Sequence, residues 1–499
     1  MNRRAVAGSG ALAIVAAGVV LVAARDDPVL SADSLTYLSA ADSLRGFDGY
    51  RDFTGEPLTH FPPVFPVLLA AGGRSLGWAA VVGASGAAAV SALLVGVLSA
   101  RVRWSLALVG ALLYTLSQAV IRTESTVWSE TPYVALALAT ILVLRNGDVT
   151  VRRAAVAGLL AGLALLTRYA GAGLVLTGLV MVVVATRAGG RSSARCAGAY
   201  LAVAGSIGGI WMARNLAATG EPLGPHFNGG VHDSLGSIID QTTRALGRLV
   251  VDLDDVTSMT KPAGAVVLIG LLIGSAMLLA RRRRSVLDVG IAVFALTSLI
   301  LPLVSRVLTG THIEARILSP TMIPLVYLVV VAADGAADRM AGRVRRPAAV
   351  PAVGIVAAVG WMTVGLVAAW NGPDRVSGSA ANPDLYSPEL LALVAAIPDD
   401  EHVLTNDPWR VWWHTGREPV GFAYTRPTPG NSHFPLSEEE ITARACSADT
   451  YLAWFPGLLN AQGAAPAEVR PDLAQTLPLD EIVAVPGGRL FRVAPNCPS

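Results

Sequence analysis

Residues 154–186 read AAVAGLLAGLALLTRYAGAGLVLTGLVMVVVAT, a continuous apolar run with one charged residue, Arg168, near its middle. About 20 apolar residues cross the hydrocarbon core of a membrane as one helix. The run is therefore too long for one spanning helix and short for two. Its folding as one span or two decides on which side of a membrane the rest of the chain lies.

The composition of the whole chain predicts a membrane protein. Of its 499 residues, 53% are hydrophobic and 15% are charged, and the mean hydropathy is +0.54. Soluble domains carry about 25% charged residues. The net charge of +2 is too small to indicate a nucleic-acid partner. The partner that the composition predicts is the lipid bilayer.

Apolar blocks along the chain predict a mainly α-helical, polytopic fold with about eleven transmembrane helices. The predicted spans are 5–24, 79–100, 104–121, 130–144, 154–169, 171–186, 196–213, 263–280, 286–304, 316–333 and 350–370. This set divides the opening run into two spans.

The distribution of arginine supports that division, because cytoplasmic loops are enriched in basic residues. With a cytoplasmic N-terminus, every predicted inner segment contains arginine, from Arg3 and Arg4 in the first to Arg339, Arg343, Arg345 and Arg346 in the last. The predicted outer segments are 25–62, 214–262 and 371–499.

The first predicted helix has a second interpretation. Arg3 and Arg4, an apolar core and the tripeptide VAA before Arg25 also match a cleaved signal peptide. The apolar run of 20 residues is longer than a typical signal core, which favours an uncleaved helix. Either outcome leaves the rest of the topology unchanged.

The composition changes after Trp370, the end of a predicted membrane module 1–370. Residues 371–386 are rich in Gly, Pro, Ser and Asn and predict a linker. Residues 387–499 alternate helix and strand patterns and predict a small extracytoplasmic α/β domain. Its predicted elements are a helix capped by Ser387, strands at 401–407 and 450–455, a helix at 437–446 and a hairpin around Gly487–Gly488.

Two features of this domain leave alternatives open. Cys446 and Cys497 form a disulfide if the domain faces an oxidising compartment, and otherwise remain free thiols. Trp409, Trp412 and Trp413 either present aromatic faces to a sugar or belong to the domain core.

The first outer segment contains the most polar stretch near the membrane, SADSLTYLSAADSLRGFDGYRDF at 31–53. We predict a helix over 32–45, with Ser31 as N-cap and Gly46 as its end. Helical spacing places Asp33 and Tyr37 on one face.

Asp33 has two interpretations, complementing the helix dipole or serving chemistry at the membrane surface. The other acids of this stretch are assigned to solvent; they are Asp42, Asp48 and Asp52.

Two further outer segments carry candidate residues. Prolines in HFPPVFPVLLA exclude a straight spanning helix, so residues 64–71 predict a short segment along the membrane interface; His60 beside them is either structural or a ligand. The turn ESTVWSE contains Glu124 and Glu130. An acid at the head of a membrane helix is usually functional, whereas Ser129 and Glu130 also match a helix cap.

Four arginines lie at the predicted outer boundary, against the positive-inside trend; they are Arg168, Arg214, Arg306 and Arg316. Arginine at a membrane boundary either extends its charged group to the water at the surface or binds phosphate. Guanidinium suits phosphate because it can donate two parallel hydrogen bonds to two phosphate oxygens. Acids and arginines on one side suit transfer of a group from a lipid phosphate to a hydroxyl.

The order of these motifs resembles the GT-C superfamily of polyprenyl-phosphate-sugar-dependent glycosyltransferases, near bacterial protein O-mannosyltransferases and lipid A aminoarabinose transferases. The resemblance covers roughly residues 30–330. Its pieces are DSLTYLSAADSLRGFDGY, HFPPVFPVLLA, ESTVWSE, GLLAGLALLTRYAG, WMARNLAATGEPLG and EARILSPTMIPLVYL.

The resemblance implies inverting transfer of a sugar from a polyprenyl-phosphate donor to a glycan, lipid or protein acceptor at the outer face of a bacterial plasma membrane. It implies that Asp33 is the general base and that Arg168 and Arg316 bind the donor phosphate. The substrate-binding candidates are Tyr37, His60, Glu124, Glu130, Arg168, Arg214 and Arg316.

One departure from the family pattern concerns metal dependence. Many relatives have a second acid directly after the first, where this chain has Ser34. His60, Glu124 and Glu130 are the residues that would rebuild a divalent-metal site, and we expect no essential metal.

The competing hypotheses are a transporter or flippase, which predicts polar span centres and internal repeats, and a non-catalytic envelope scaffold, which predicts dispersed candidate residues.

Overall fold

The computed structural model describes residues 3–25, 28, 30–188, 193–224, 234–251, 257–281, 285–309, 311–341, 387–421, 448–455, 459–460, 463–464 and 479–493, and the single positions 360, 363, 367, 443 and 446. Within these ranges the chain is mainly α-helical, with a small mixed sheet near its C-terminal end. The predicted linker 371–386 and Cys497 lie outside the described residues.

The helices up to residue 341 follow the predicted spans, with shorter helices between them. They are α1 (Arg3–Ala23), α2 (Ala32–Arg45), α3 (Val64–Ala70), α4 (Leu76–Ser99), α5 (Trp104–Thr115), α6 (Gln118–Ser125), α7 (Glu130–Leu144), α8 (Val151–Leu165), α9 (Gly171–Ala188), α10 (Ser193–Thr219), α11 (Leu235–Arg248), α12 (Thr257–Ala280), α13 (Val286–Thr309), α14 (Ala315–Leu318) and α15 (Met322–Ala341). A 3-10 turn, Ser319–Thr321, joins α14 to α15. Helix α2 confirms the predicted helix 32–45, and α3 falls on the predicted short segment 64–71.

Six described helices are long and apolar enough to cross a membrane, with α14 and α15 counted as one unit. They are α1, α4, α10, α12, α13 and the α14–α15 unit. Helices α7 and α9 are apolar but shorter. The polytopic membrane fold is thus present, while the count of eleven spans stays a prediction. The predicted span 350–370 lies outside the described residues except at 360, 363 and 367.

The predicted span over 104–121 corresponds to a bent pair of helices, which together are long and apolar enough to count as one broken span. Helices α5 and α6 meet at a bend of 62°. The Thr115 hydroxyl donates to the Ala111 carbonyl oxygen at 2.9 Å and contacts the Ser91 hydroxyl at 2.8 Å. Ser117 then adopts an extended backbone. Threonine and serine hydroxyls that compete for backbone groups bend or end helices.

The run 154–186 folds as two helices, α8 and α9, as the arginine distribution predicts. Residues 166–170 form the turn between them, and Gly171 opens α9. A Cβ atom at Gly171 would lie 2.4 Å from the Leu165 backbone nitrogen, so the close return of the chain requires glycine here. Arg168 therefore sits on a tight turn at the end of this helix pair.

Helix α11 is an amphipathic helix within the predicted outer segment 214–262 and packs closely on α12. A Cβ atom at Gly264 of α12 would lie 1.6 Å from the Thr243 carbonyl oxygen, and one at Gly247 of α11 would lie 1.7 Å from the Thr260 carbonyl oxygen. The two helix backbones are therefore in direct contact. Helix α11 also packs against α14, so this contact supports the start of the α14–α15 unit.

The sheet near the C-terminal end has five strands in the order β2-β1-β3-β7-β6. The strands are β1 (His402–Thr405), β2 (Val420–Gly421), β3 (Thr450–Trp454), β6 (Leu479–Val485) and β7 (Gly488–Val493), and β4 (Leu459–Asn460) pairs with β5 (Gly463–Ala464). Strands β2, β1 and β3 are parallel, whereas β3, β7 and β6 are antiparallel. The predicted strands at 401–407 and 450–455 and the predicted hairpin are confirmed.

Two helices accompany the sheet, α16 (Pro388–Ala395) and α17 (Pro408–Thr415). The Ser387 hydroxyl accepts the Leu390 N–H at 3.1 Å, which confirms the predicted cap. Of the predicted helix 437–446, only positions 443 and 446 are described, and both are helical. Cys446 is disulfide-bonded and Cys196 is free and buried; the pairing of Cys446 with Cys497 stays a prediction.

The tryptophans of α17 lie outside the core of the sheet, so the domain-core interpretation is wrong, and their contact with a sugar stays a prediction. Trp412 is buried in a cluster with Leu35 and Phe53 of the first outer segment, and Trp409 and Trp413 pack against that cluster. The sheet has its own core around Leu390, Val403 and Leu490. The tryptophans therefore form a contact between α17 and the first outer segment.

We expect Gly264→Ala to destabilise the protein by about 3 kcal/mol, because backbone atoms cannot move aside as a side chain can. Gly270→Ala is the matched control on the same helix, since a Cβ there meets nothing within 4 Å. The thermal unfolding midpoints of both variants in detergent check the prediction. Equal midpoints would show that α11 does not press on α12.

Candidate active site

The start of helix α2 is fixed by a reciprocal cap. The Ser31 hydroxyl accepts the Ser34 N–H at 3.2 Å, and the Ser34 hydroxyl accepts the Ser31 N–H at 3.0 Å. This capping box satisfies two backbone donors that a helix start leaves open. Ser34 is fully buried and committed to the cap, so the missing second acid of the family pattern corresponds here to a structural hydroxyl. Asp33 stands in the first turn that the cap holds.

Asp33 forms an ion pair with Arg316 of α14. Its Oδ2 lies 2.5 Å from Nη1 of Arg316, and Glu314 Oε2 lies 2.8 Å from Nε of the same guanidinium. The Arg316 side chain is 19% exposed and that of Asp33 is 29% exposed. The pair is therefore partly accessible to solvent, and one arginine holds two carboxylates at the N-terminal end of the α14–α15 unit.

Trp128, in the turn between α6 and α7, covers this pair. The guanidinium carbon of Arg316 lies 5.0 Å from the centroid of the Trp128 ring, in the range of a cation–π contact. The Trp128 indole N–H donates to the Ser31 hydroxyl at 2.8 Å. One side chain thus joins the α2 cap to the arginine that pairs with Asp33.

A second acid–arginine pair lies beside the first. Arg168 Nη1 is 2.5 Å from Glu130 Oε1, an ion pair whose angles are not those of a hydrogen bond. Arg168 Nη1 also donates to the Ser129 hydroxyl at 3.1 Å, and that hydroxyl lies 2.9 Å from the Tyr37 hydroxyl. Ser129 occupies the predicted N-cap position of α7, but its side chain makes no cap bond and instead joins Arg168 to Tyr37.

Tyr37 forms a buried wall between α2 and the segment after it. Its ring meets Phe61 at 4.7 Å and Phe65 at 5.0 Å between centroids, both edge to face. Burial raises the pKa of the Tyr37 hydroxyl above its usual range. Tyr37 therefore stays protonated at neutral pH and acts as a hydrogen-bonding wall.

Arg214, near the end of α10, holds the first outer segment by its backbone. It donates to the Leu58 carbonyl at 2.6 Å and to the Tyr50 carbonyl at 3.1 Å, and its guanidinium lies 5.0 Å from the Trp211 ring centroid. Its donors are engaged in positioning the loop. Arg306 is buried within α13.

His60 lies in the segment between α2 and α3, and Glu124 lies in α6. His60 packs beside the Phe61 ring with centroids 4.4 Å apart. Glu124 is buried at the end of α6, where its backbone carbonyl approaches Gly83 of α4. Within the described ranges, no three His, Cys, Asp or Glu side chains come together as metal ligands. His60, Glu124 and Glu130 do not form such a group among these residues.

The assignment of the remaining loop acids to solvent is correct for Asp48 and wrong for Asp52. Asp48 is exposed and Asp42 is half-buried. Asp52 is buried, and two hydrogen bonds compensate for this burial. Its Oδ1 accepts the Thr54 N–H at 2.9 Å and the Thr54 hydroxyl at 2.5 Å. An aspartate whose side chain accepts a hydrogen bond from the backbone N–H two residues later stabilises the turn in which it lies.

The two pairs give the site a defined electrostatic character. Three carboxylates and two guanidinium groups meet at the N-terminal ends of α2, α7 and α14. Each guanidinium already has a carboxylate partner, so an entering phosphate competes with that carboxylate for donors. The site can bind an anionic group and, beside it, offer a carboxylate as a base.

No protein-family model and no curated protein sequence matches the chain. Its fold does match solved structures. ArnT from Cupriavidus metallidurans, bound to undecaprenyl phosphate, aligns at a TM-score of 0.57 and 14% identity over 97% of each chain. Oligosaccharyltransferase AglB from Archaeoglobus fulgidus, with an inhibitory peptide and a dolichol-phosphate, gives 0.55 and 13% over 89% of this chain and 69% of that one.

The mycobacterial arabinofuranosyltransferase AftD gives a TM-score of 0.56 and 17% identity over 99% of this chain and 40% of AftD. All three are GT-C superfamily glycosyltransferases. At these identities the likeness shows the fold alone, and the chain has the GT-C fold that the sequence motifs suggest.

Sequence reasoning missed two contacts at the site. Glu314 and Trp128 both contact Arg316 and are not among the sequence-predicted site residues. A carboxylate two residues before an arginine is a visible signal for a local ion pair. The stacking of Trp128 on Arg316 joins residues 188 positions apart, and one sequence contains no signal for it.

We expect Glu130→Gln to lower the free energy of unfolding by about 3 kcal/mol, because it leaves the sheltered Arg168 guanidinium without a counter-charge. Glu314→Gln is the control, since Glu314 is 54% exposed and such pairs contribute less than about 1 kcal/mol. Chemical denaturation in detergent measures both. A Glu130→Gln variant as stable as Glu314→Gln would contradict the prediction.

Proposed function

We propose that the protein is a membrane glycosyltransferase that moves a sugar from a polyprenyl-phosphate donor to a hydroxyl of a cell-envelope acceptor. The observation that carries the proposal is the Asp33–Arg316 pair, set beside the Arg168–Glu130 pair in a GT-C fold. A general base and phosphate-binding cations are the groups that such a transfer needs.

The proposal includes a topology. Residues 1–370 form an eleven-helix membrane module with a cytoplasmic N-terminus, and the first outer segment, 25–62, carries the base. Residues 371–386 form a linker, and 387–499 form an extracytoplasmic domain. The arginine-rich inner segments support this orientation. The location is a bacterial plasma membrane.

The proposed donor site consists of Arg316 and Arg168. ArnT is bound to undecaprenyl phosphate and AglB to a dolichol-phosphate, which supports a lipid-linked donor for this chain. Both guanidinium groups are 19% exposed in their side chains, which leaves them accessible to an anion at the membrane surface. Arg214 is assigned to the loop instead, because carbonyl oxygens engage it.

Binding of the donor prepares the base. The phosphate and the Asp33 carboxylate compete for the same Arg316 guanidinium. When phosphate oxygens take Arg316, the Asp33 carboxylate loses its cation and becomes free to accept a proton. Glu314 stays on Nε and keeps the guanidinium oriented. The donor therefore binds before the base acts.

In the transfer step, the acceptor oxygen forms a bond to the anomeric carbon while the bond from that carbon to the phosphate oxygen breaks. The acceptor proton passes to Asp33, and the bonding electron pair leaves on the polyprenyl phosphate, whose charge Arg316 and Arg168 stabilise. Attack opposite the phosphate inverts the anomeric configuration. The acceptor is a glycan, lipid or protein hydroxyl.

The grouping of the candidates favours an enzyme over a scaffold. A non-catalytic scaffold predicts dispersed acids and arginines, whereas Ser129 and Trp128 link the two acid–arginine pairs through adjacent positions. Substitutions in the two pairs should therefore affect one shared site.

Asp33→Asn is expected to lower the transfer rate at least a hundredfold, because an amide cannot take the acceptor proton. Asp48→Asn, the same change at an exposed aspartate of the same segment, should retain the rate. The assay uses membranes with a radiolabelled polyprenyl-phosphate-sugar pool. Transfer by Asp33→Asn at the wild-type rate would remove Asp33 from the mechanism.

Arg316→Lys should raise the donor KM about tenfold and lower kcat, because lysine keeps the charge but cannot contact a carboxylate or phosphate through two parallel donors. Arg45→Lys, at an exposed arginine of α2, serves as the matched control. Steady-state kinetics over donor concentration separate the two constants. An unchanged donor KM would place the phosphate elsewhere.

A further inference from the structure

We propose that Trp409 of α17 is a positioning residue for Asp33, acting through Thr36; this inference rests on the proposed function. It assigns to the C-terminal region a task within the transfer step, namely to hold the first turn of the helix that carries the base.

The proposal starts from a chain of two hydrogen bonds. The Trp409 indole N–H donates to the Thr36 hydroxyl at 3.2 Å, and that hydroxyl donates to the Ala32 carbonyl at 3.1 Å. The Ala32 carbonyl belongs to the peptide that joins Ala32 to Asp33. A hydroxyl has one proton and two lone pairs, so Thr36 makes both bonds at once. The relay therefore ends on the backbone of the base.

The relay lies in a buried setting. Thr36 is 5% exposed, and the Trp409 ring lies 5.9 Å from the Phe53 ring between centroids. Water has little access to replace a lost partner there, and an unpaired buried polar group is costly. The two hydrogen bonds of the relay therefore hold the Thr36 hydroxyl in one orientation.

Helix α17 is itself fixed at both ends. Asp407 caps it by accepting the Arg410 N–H at 3.3 Å and pairs with the Arg410 guanidinium at 2.7 Å. Gly416 ends it in the left-handed region, at φ 75°, which favours glycine. Trp409 therefore lies in a short helix that is capped at both ends.

Arg74, between α3 and α4, fastens the other end of α17 to the membrane module. Its guanidinium lies 4.4 Å from the Trp412 ring centroid and donates to the Trp412 carbonyl at 3.2 Å and to the Trp413 carbonyl. A cation at a helix C-terminus also meets the negative end of the helix dipole. Trp409 thus approaches α2 from a helix anchored to the same module.

The relay matters most when donor is bound. In the unliganded arrangement Arg316 holds Asp33 directly. Once the donor phosphate takes Arg316, the Asp33 carboxylate is held only by its own helix turn. The Ser31–Ser34 cap fixes the start of that turn, and the relay fixes the Ala32 carbonyl. Loss of the relay should therefore reduce the catalytic step and spare donor binding.

The test compares Trp409→Phe with Trp413→Phe in the full-length protein. Both substitutions keep an aromatic ring and remove one indole N–H. Only that of Trp409 donates a hydrogen bond to the first outer segment among the described residues. Thr36→Val removes the relay from the other side. Kinetics with a labelled polyprenyl-phosphate sugar and hydrogen exchange of the peptide covering 31–45 are measured for all three.

We expect Trp409→Phe and Thr36→Val each to lower kcat about five- to tenfold, with donor KM unchanged and with faster exchange in 31–45. The double variant should show no further loss, since both changes break one relay. Trp413→Phe should match the wild type.

Three outcomes would overturn the inference: unchanged exchange in 31–45, unchanged kcat despite faster exchange, or an equal loss in Trp413→Phe. Absence of transfer in the wild-type protein is a different result, since it refutes the proposed function. The two failures are thus distinguished by the wild-type rate alone.

Discussion

The ion pair between Asp33 and Arg316 joins the first outer helix, α2, to the start of the α14–α15 unit, across 283 positions of sequence. Three further contacts at the site support it. Trp128 covers its guanidinium, Glu314 holds the guanidinium from the second side, and the capping box fixes the turn from which Asp33 projects. A carboxylate and a guanidinium this close, and only partly exposed, attract strongly and remain open to a competing anion.

The first outer segment is held in place largely through its backbone. Carbonyl oxygens in a loop that lies against membrane helices need partners, because they lack free access to water. Arg214 supplies two donors to such carbonyls, and Tyr169 and Asn215 both donate to the Thr59 carbonyl. The arginines at the outer boundary therefore meet two demands. Arg168 and Arg316 pair with acids, and Arg214 fixes the loop.

Local patterns predicted local structure well. The helix from Ser31 to Gly46, the pair α8–α9, the Ser387 cap and the hairpin at Gly487 depend on capping chemistry, glycine and apolar periodicity within a few residues. The features that the sequence did not predict have a common origin. The bend at 116–117, the role of Ser129 and the burial of Asp52 depend on hydroxyl or carboxylate partners, and a side chain with several possible partners leaves no periodic signal.

The sequence by itself determined that this is a polytopic, mainly helical membrane chain, that arginine lies in the predicted inner segments, and that Asp33 begins a helix in the first outer segment. These properties follow from the hydrophobic effect and helix capping, which act over short stretches. Only the tertiary structure decided that Arg316 and not Arg214 pairs with Asp33, that Ser129 joins Arg168 to Tyr37, and that Trp409 reaches Thr36. Such choices depend on which helix ends pack together, and packing of distant segments is set by the shapes of all of them at once.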